Sequence, residues 1–365
     1  MRAPALAVGA ITALCAALPA AAQSSVTLFG VVDTAVQHIR GDGRLTRLDS
    51  GGLNGSRLGF KGQEDLGGGL AASFHLEAGL NTDSGRGRPT SFDNVTDTSG
   101  DFISFNRRST VGLMGRFGEI RAGRDYTPVA DNHTDFDVFG NSGVADSSLL
   151  TQALAIGLVA GRGVRTDVRA SNAVVYVLPA DLGGFWGYGM YALSEKTRDD
   201  EPAGFLRGDG GHRGLRLGWE GAGLNMALAY GKSILSFQQD LTNIHFGGTY
   251  TWNDLQFFGQ LSRERTTIAD VRHTNDAMAL GAIYTLGVQA IKFQVVNSRI
   301  KRSGMEPMRA TMFSAGYDYN LSKRTALYGA VSYIRNNASG TFDLGVPVAP
   351  GQNASGVQLG MRHAF

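Results

Sequence analysis

The residues in this chain with the most chemical potential are cations, and their spacing suits a charged surface better than a reaction centre. Alternate residues of an extended strand share a face. By that rule Arg57 and Lys61 fall opposite Leu58 and Phe60, and Arg169 and Arg216 take the polar faces of their own segments. Guanidiniums gathered on one polar face attract anions. A second charged set, Asp131, Asp135, Asp137 and Asp146, lies in one long segment without sustained alternation. These acids either oppose the cations or tie the segment to a wall by hydrogen bonds, and anchoring is the favoured role for Asp135 and Asp137. His75 and Glu77 share a strand face, but a metal centre needs further ligands, so no metal site and no cofactor are expected. No Ser/His/Asp set or activated nucleophile appears, so no catalytic residue is assigned and the chain is not read as an enzyme. Gly218-Trp-Glu-Gly-Ala-Gly223 lacks the strand–turn–helix setting of a phosphate loop and reads as a turn. Arg207-Gly-Asp209 sits in a Gly-rich loop and reads as an accidental tripeptide.

The elements that must position these groups are strands. The clearest is Leu70 to Leu80, where Leu70, Ala72, Phe74, Leu76, Ala78 and Leu80 alternate with Ala71, Ser73, His75, Glu77 and Gly79. A wholly apolar face backed by His75 and Glu77 requires two different solvents. Val26 to Arg40, Ser56 to Gln63, Phe105 to Gly115 and Glu119 to Arg124 follow the same period, as do ten further segments between Arg169 and Asn336. The last is Gly356 to Phe365, with Val357, Leu359, Met361 and Phe365 on one parity. Short connections such as Asn253-Asp254 and Gly287-Val288 alternate with long ones such as 195–211, 266–275 and 299–308. About sixteen strands result, an even number, with turns at one rim and loops at the other. Aromatics gather near strand ends: Trp219, Trp252, Tyr284, Tyr317 and Tyr319 beside turns, Tyr230 and Tyr333 toward loops. Such girdles mark two membrane interfaces. An exposed strand ending in Phe365 would leave an open edge in an unclosed sheet. Pairing it with the first strand removes that edge.

Composition agrees. Fifty-one glycines, nine prolines and 18% charged residues suit many strands joined by turns. A net charge of +2 gives no footprint for nucleic acid. Arg2, the apolar run Ala5 to Leu18 and Ala20-Ala21-Ala22 form a secretory leader over residues 1–22. Residues 23–365 then form one domain. Cys15, the only cysteine, lies within the leader, so the mature chain has neither disulfides nor thiol chemistry. No later apolar run reaches the roughly 18 residues of a membrane helix. A transmembrane barrel needs none, because only every second residue meets lipid. A mean hydropathy of −0.10 fits that.

Several motifs together carry a family resemblance. Val26-Thr-Leu-Phe-Gly-Val-Val-Asp33, Ser56-Arg-Leu-Gly-Phe-Lys-Gly-Gln-Glu-Asp-Leu-Gly-Gly-Gly-Leu70 and Phe105-Asn-Arg-Arg-Ser-Thr-Val-Gly-Leu113 are three of them. Phe117-Gly-Glu-Ile-Arg-Ala-Gly-Arg-Asp-Tyr-Thr-Pro128, Leu321-Ser-Lys-Arg-Thr-Ala-Leu-Tyr328 and Arg362-His-Ala-Phe365 complete the set. The chain resembles the trimeric outer-membrane porins of Gram-negative bacteria, of the type common in β-proteobacteria. The resemblance implies an all-β fold, a 16-stranded antiparallel transmembrane barrel with short periplasmic turns and a long third loop folded into the lumen. It implies a homotrimer in outer-membrane lipid and lipopolysaccharide that passes small hydrophilic solutes and anions. Phe365 would be read by the barrel-assembly machinery. In anion-selective members, arginines matching Arg57, Arg107 and Arg169 cluster at the constriction, and Glu77 matches an acidic position beside them. Parity alone leaves Arg107 and Arg108 as alternatives for the lumen position. Leu149 to Val159 is more apolar than the family's third loop. A substrate-specific channel with a saturable site is the alternative reading, and a barrel enzyme would need a catalytic set near one rim.

Overall fold

The computed structural model describes residues 25–89, 91, 94, 102–159, 166, 168–197, 206–235 and 239–365. The leader over 1–22 lies outside them. Strands run in chain order as β1 Ser25–Arg40, β2 Arg44–Ser50, β3 Arg57–Gly67, β4 Leu70–Gly79, β5 Arg108–Gly115 and β6 Gly118–Tyr126. A third loop containing helix α1, Pro128–Asp135, precedes β7 Arg169–Val177, β8 Phe185–Ala192, β9 His212–Gly221 and β10 Leu224–Ile234. The remainder are β11 Asp240–Trp252, β12 Leu255–Ile268, β13 Val271–Leu286, β14 Gln289–Arg302, β15 Met308–Asn320, β16 Thr325–Asn336 and β17 Ala354–Ala364. Every neighbour pairs antiparallel, and β17 pairs with β1 from Val31–Ala364 to Arg40–Ser355. The sheet therefore closes. In hydrocarbon an unpaired backbone group costs several kcal/mol, so closure is what makes a membrane-spanning sheet possible.

Seventeen strand segments make sixteen barrel staves because β2 and β3 share one. The same edge of β1 pairs with β3 over Ser25 to Val31 and with β2 over Thr34 to Arg40. Between them Gly51 to Ser56 leaves the ladder, and the buried carboxylate of Asp33 replaces the lost partners. It accepts the backbone N–H groups of Gly52 at 3.2 Å, Leu53 at 2.9 Å and Asn54 at 2.6 Å. Tyr328 donates its hydroxyl to the same carboxylate. The polar Arg44–Ser50 has no apolar face, so periodicity alone reads it as loop.

The two faces of the barrel are inverted relative to a soluble protein. Val36, Leu217, Leu228, Phe246, Leu280, Phe293, Val331 and Leu359 are among many large apolar side chains exposed outward. Gln37, Glu77, Asn243, Gln260, Gln294, Ser314 and Gln358 are buried on the inner face. An apolar surface this extensive belongs against lipid, with the polar groups facing the lumen. At one rim the turns match expectation: Asn253-Asp254 and Gly287-Val288 join directly paired strand ends. Of the Gly218–Gly223 stretch, Gly218 to Gly221 end β9, and only Ala222-Gly223, both with positive φ, form the hairpin turn. At the other rim, the expected loop over 266–275 is instead a two-residue turn at Ala269-Asp270, both with positive φ. Thr266, Thr267, Arg272, His273 and Thr274 stay in the ladder above the apolar band. Both faces are polar there, so alternation ends while pairing continues. The loop expected over 299–308 shrinks for the same reason, since β14 runs to Arg302.

Closure ends on Phe365. Its backbone N–H donates to Gly30 O at 3.1 Å and its carbonyl accepts Gly30 N–H at 3.0 Å. The ring lies where a Cβ on residue 30 would stand, 2.3 Å from Cζ, so any larger residue there would displace the ring. Deleting Phe365 removes this pair and uncovers Gly30. The expected outcome is a sharply lower yield of heat-stable barrel on refolding and lower surface levels in cells, with unchanged conductance for barrels that form. Wild-type yield from the deletion would show that closure does not depend on it.

Candidate functional site at the lumen constriction

On the β3–β7 side of the lumen, Glu77 is the centre of a cationic cluster. It points inward from β4, opposite Gly59 on one neighbour and Arg108 on the other. Arg107, just before β5, donates Nε to Glu77 Oε1 and Nη2 to the hydroxyl of Tyr126 at 2.6 Å. Arg57 approaches the same carboxylate oxygen at 3.8 Å. Arg169, the first residue of β7, donates to the Tyr126 hydroxyl as well, and its guanidinium stands 4.0 Å from the centre of that ring. His75 contacts Glu77 Oε2 at 3.3 Å. Arg57, Arg107 and Arg169 are thus brought together around one carboxylate and one phenol. A guanidinium held by an aromatic face and a neutral hydroxyl keeps its charge.

Arg107 and Arg108 both turn inward, at different levels. Arg107 joins the cluster, while Arg108 pairs with Asp125 at 2.6 Å, which Arg121 also holds at 2.6 Å. Lys61 faces inward too but stands apart from the cluster. The Phe29 ring covers Gly59 between Arg57 and Lys61, and Lys61 Nζ lies 5.6 Å from its centre. Parity assigns the face of a residue, not its height along the barrel.

The third loop lies opposite the arginines, held against inward-facing residues of β8 to β17. Proline at the first helical position suits α1, because that N–H would have no partner anyway. Asn132 donates to His245 Nδ1 at 2.7 Å and to Ala227 O at 3.2 Å, and accepts Arg216 Nε at 2.7 Å. Arg216 also pairs with Asp135 at 2.7 Å and stacks 4.6 Å from the Trp186 ring. Gln260 donates to Phe136 O at 2.6 Å, and Gln358 accepts Val144 N–H at 3.0 Å. Glu264 accepts the N–H groups of Leu154 and Ala155 at 3.0 and 3.2 Å. Burial keeps His133 neutral, well below the usual imidazole pKa, where it stacks 3.8 Å from His245.

Glycines make room for the apolar part of this attachment. Phe136, Val138, Phe139 and Val144 press on Gly247, Gly281, Gly316 and Gly356, one glycine from each alternate strand β11, β13, β15 and β17. A Cβ at these positions would meet a loop side chain at 2.3, 2.5, 2.6 and 3.1 Å. Burying a phenylalanine such as Phe136 stabilises by roughly 1.5–3 kcal/mol, so several such contacts hold the loop firmly. The apolar Leu149, Leu150 and Leu154 have the same use: Leu150 and Leu154 are buried against the wall, and Leu149 packs beside them.

The acids of the loop therefore divide. Asp131 accepts the Tyr188 hydroxyl, and burial pushes its carboxyl up to about 6. Asp135 holds Arg216. Asp137 accepts Phe139 and Asn141 N–H at 2.9 and 3.0 Å and the Gln294 amide at 2.5 Å. All three serve the attachment and turn away from the arginine cluster. The loop carboxyl that lines the same cavity as the arginines is Asp146. Burial pushes Asp146 up to about 6 against hydrogen bonds from Ser148.

Between arginine wall and loop lies a cavity of about 800 Å³. Arg47, Arg57, Arg88, Arg107 and Arg169 line it against three carboxyls, Asp49, Glu77 and Asp146. Arg88 and Tyr126 were not singled out from sequence. Tyr126 follows an irregularity between Gly123 and Asp125 that shifts strand parity, and Arg88 arrives from a loop with no period. The Arg207-Gly-Asp209 tripeptide offers no displayed ligand, since Asp209 is fully buried and receives Leu206 N–H at 2.9 Å.

The geometry agrees with comparisons to known proteins. A family model for Gram-negative porins matches residues 6–339. The outer membrane porin protein 32 of Delftia acidovorans is 34% identical over 98% of both chains. Among solved structures, an anion-selective porin from Comamonas acidovorans superposes with a TM-score of 0.79 at 31% identity, covering 94% of this chain and all of that one. An outer membrane protein of Vibrio cholerae in a trimer form shares the fold alone, at 16% identity and a TM-score of 0.64 over 94% of this chain and 99% of that one. On this match of sequence, barrel and length, the chain belongs to the Gram-negative porin family.

Proposed function

We propose that this outer-membrane porin is an anion-preferring diffusion channel that works as a homotrimer, with its constriction between Arg57, Arg107 and Arg169 and the third loop. The observation that carries this reading is the convergence of three guanidiniums, Arg57 and Arg107 on the Glu77 carboxylate and Arg107 and Arg169 on the Tyr126 hydroxyl, across the cavity from the loop. Two unit charges about 4 Å apart interact by roughly 4 kcal/mol at an effective dielectric of 20. Charges farther than about 8–10 Å away are largely screened at physiological salt, so the whole-chain charge of +2 matters little. Local surplus charge in a low-dielectric passage raises the concentration of counter-ions. The anion selectivity of the Comamonas porin supports the same direction here. Lys61 would add to the field at a lower level, while Asp131, Asp135 and Asp137 would hold the loop.

The remaining assignments belong to the same proposal. Residues 1–22 form a cleaved leader and 23–365 the barrel. Phe365 is the assembly signal, and outer-membrane lipid and lipopolysaccharide surround the trimer. In unheated detergent extracts the protein is expected to migrate as a heat-sensitive oligomer.

Replacing Arg57, Arg107 and Arg169 together by Ser should lower the anion-to-cation permeability ratio, read as a shifted reversal potential in a salt gradient. The effect should be largest at low salt, with the heat-sensitive oligomer retained. Replacing the loop residue Lys196 should do much less. An unchanged reversal potential in the triple variant would make the arginines structural.

Asp146 gives the channel a pH dependence. With its carboxyl near 6, it carries a negative charge above that value and loses it below. Lowering the pH from about 7 to 5 therefore removes one negative charge from the constriction, and anion preference should rise. Asp146→Asn should show the raised preference at both pH values. A pH response that survives in this variant would place the titrating group elsewhere.

A further inference from the structure

The apolar run in the second half of the third loop is more than an attachment. Its helical turns Ser148–Thr151 and Leu154–Val159 bury Leu150, Leu154 and Ala155 against the barrel. Leu149, Ala153 and Ile156 follow at spacings of four and three, which places them on one helical face. All three are only half-buried, and all three line a cavity. Apolar surface left open to water costs free energy in proportion to its area. A passage for small polar solutes gains nothing from such a face.

The face forms one side of a chamber of about 580 Å³ at the loop rim. The other side is barrel wall, where Ile300 of β14 and Met308 of β15 stand directly opposite each other. Phe342 closes the chamber from the connection between β16 and β17. Asn336 holds that connection inward, donating to Phe342 O at 2.9 Å and Gln352 O at 2.7 Å and accepting Phe342 N–H at 3.2 Å. Arg302 shares the inner face with Ile300, two residues nearer the rim, and has no ion pair among the described residues. Glu306 and Asp343 also line the chamber. A space of this size suits a small molecule, and an apolar body with a single negative end matches its walls. A dianion would meet two acids there and no second guanidinium or ammonium among the described residues. Leu149 and Ile156 line the cavity of about 800 Å³ at the arginine wall as well, so the two spaces abut across these side chains.

We propose that the chamber captures aromatic monocarboxylates, with the ring between Ile156, Ile300, Met308 and Phe342 and the carboxylate on Arg302. From there the solute passes over Leu149 into the cavity lined by Arg57, Arg107 and Arg169. The proposal rests on the reading of the chain as an anion-preferring channel and names the class of anion that it favours. Met305 and Met308 suit a ring, because a thioether is adaptable and makes favourable contacts with aromatic edges. The guanidinium fork of Arg302 matches both oxygens of a carboxylate. Capture of this kind must be weak, since a solute that binds too well does not leave.

The test records chloride current through the wild-type oligomer in a planar bilayer, with phenylacetate, acetate or benzyl alcohol added on the loop side. Phenylacetate is expected to block the current saturably, at a half-blocking concentration at least about tenfold below that of acetate, because only it buries a ring. Benzyl alcohol, which has the ring without the charge, should block no better than acetate. Ile156→Ser/Met305→Ser should raise the half-blocking concentration of phenylacetate at least about fivefold and leave that of acetate where it was. Arg302→Gln, at an exposed side chain, should raise it by about as much, so the outcome does not depend on the yield of the double variant. Equal half-block by phenylacetate and acetate, block by benzyl alcohol as strong as by phenylacetate, or wild-type half-block in either variant would each overturn the proposal. The underlying reading fails separately: a wild type without chloride steps, or with a cation preference, removes the anion channel itself. Anion-preferring steps with equal block by the two acids remove only the capture site.

Discussion

Attachment of the third loop to a single wall of the lumen is the interaction on which the working part of this porin depends. A loop centred in the barrel would divide the water path and bring its acids near every cation. Held against β8 to β17 by Arg216, Gln260, Glu264 and Gln358, it leaves a cavity on its far side that Arg57, Arg107 and Arg169 line. The acids Asp131, Asp135 and Asp137 are consumed in the attachment, which leaves the arginine cluster less compensated. Anchoring and electrostatics are thus two results of one arrangement.

Arg216 illustrates how charge is sorted between these roles. It is buried, hydrogen-bonded to Asn132, paired with Asp135 and stacked on Trp186. A charge so enclosed is costly to unpair, so it fixes the position of α1 and contributes little to the field in the water. Arg169 is enclosed by a different kind of partner, the ring and hydroxyl of Tyr126. A neutral partner immobilises a guanidinium without cancelling its charge. The identity of the partner, more than the number of arginines, decides which cations the permeating ion meets.

The barrel was legible in the sequence wherever its two solvents differ, because alternation at Leu70 to Leu80 can arise in few other ways. It was illegible where both faces are wet, as at Arg44–Ser50 and around Ala269-Asp270, since backbone pairing leaves no trace in side-chain polarity. The arginines were readable from motifs in the family resemblance, but their levels were not. Lys61 has the right parity and the wrong height. The loop acids failed to announce their direction because a loop has no period, and Asp146 was distinguishable from Asp137 only by what each one touches.

The glycines at 247, 281, 316 and 356 set the stand-off between loop and wall, each by the absence of a methyl group. The bore of this channel is consequently recorded in the wall rather than in the loop that narrows it. Adding a methyl group at any of these four places acts as a shim, pushing the loop toward the arginines without altering a single residue that the solute touches. Pore width and pore charge can therefore drift separately, one through shims in the strands and the other through partners in the cluster.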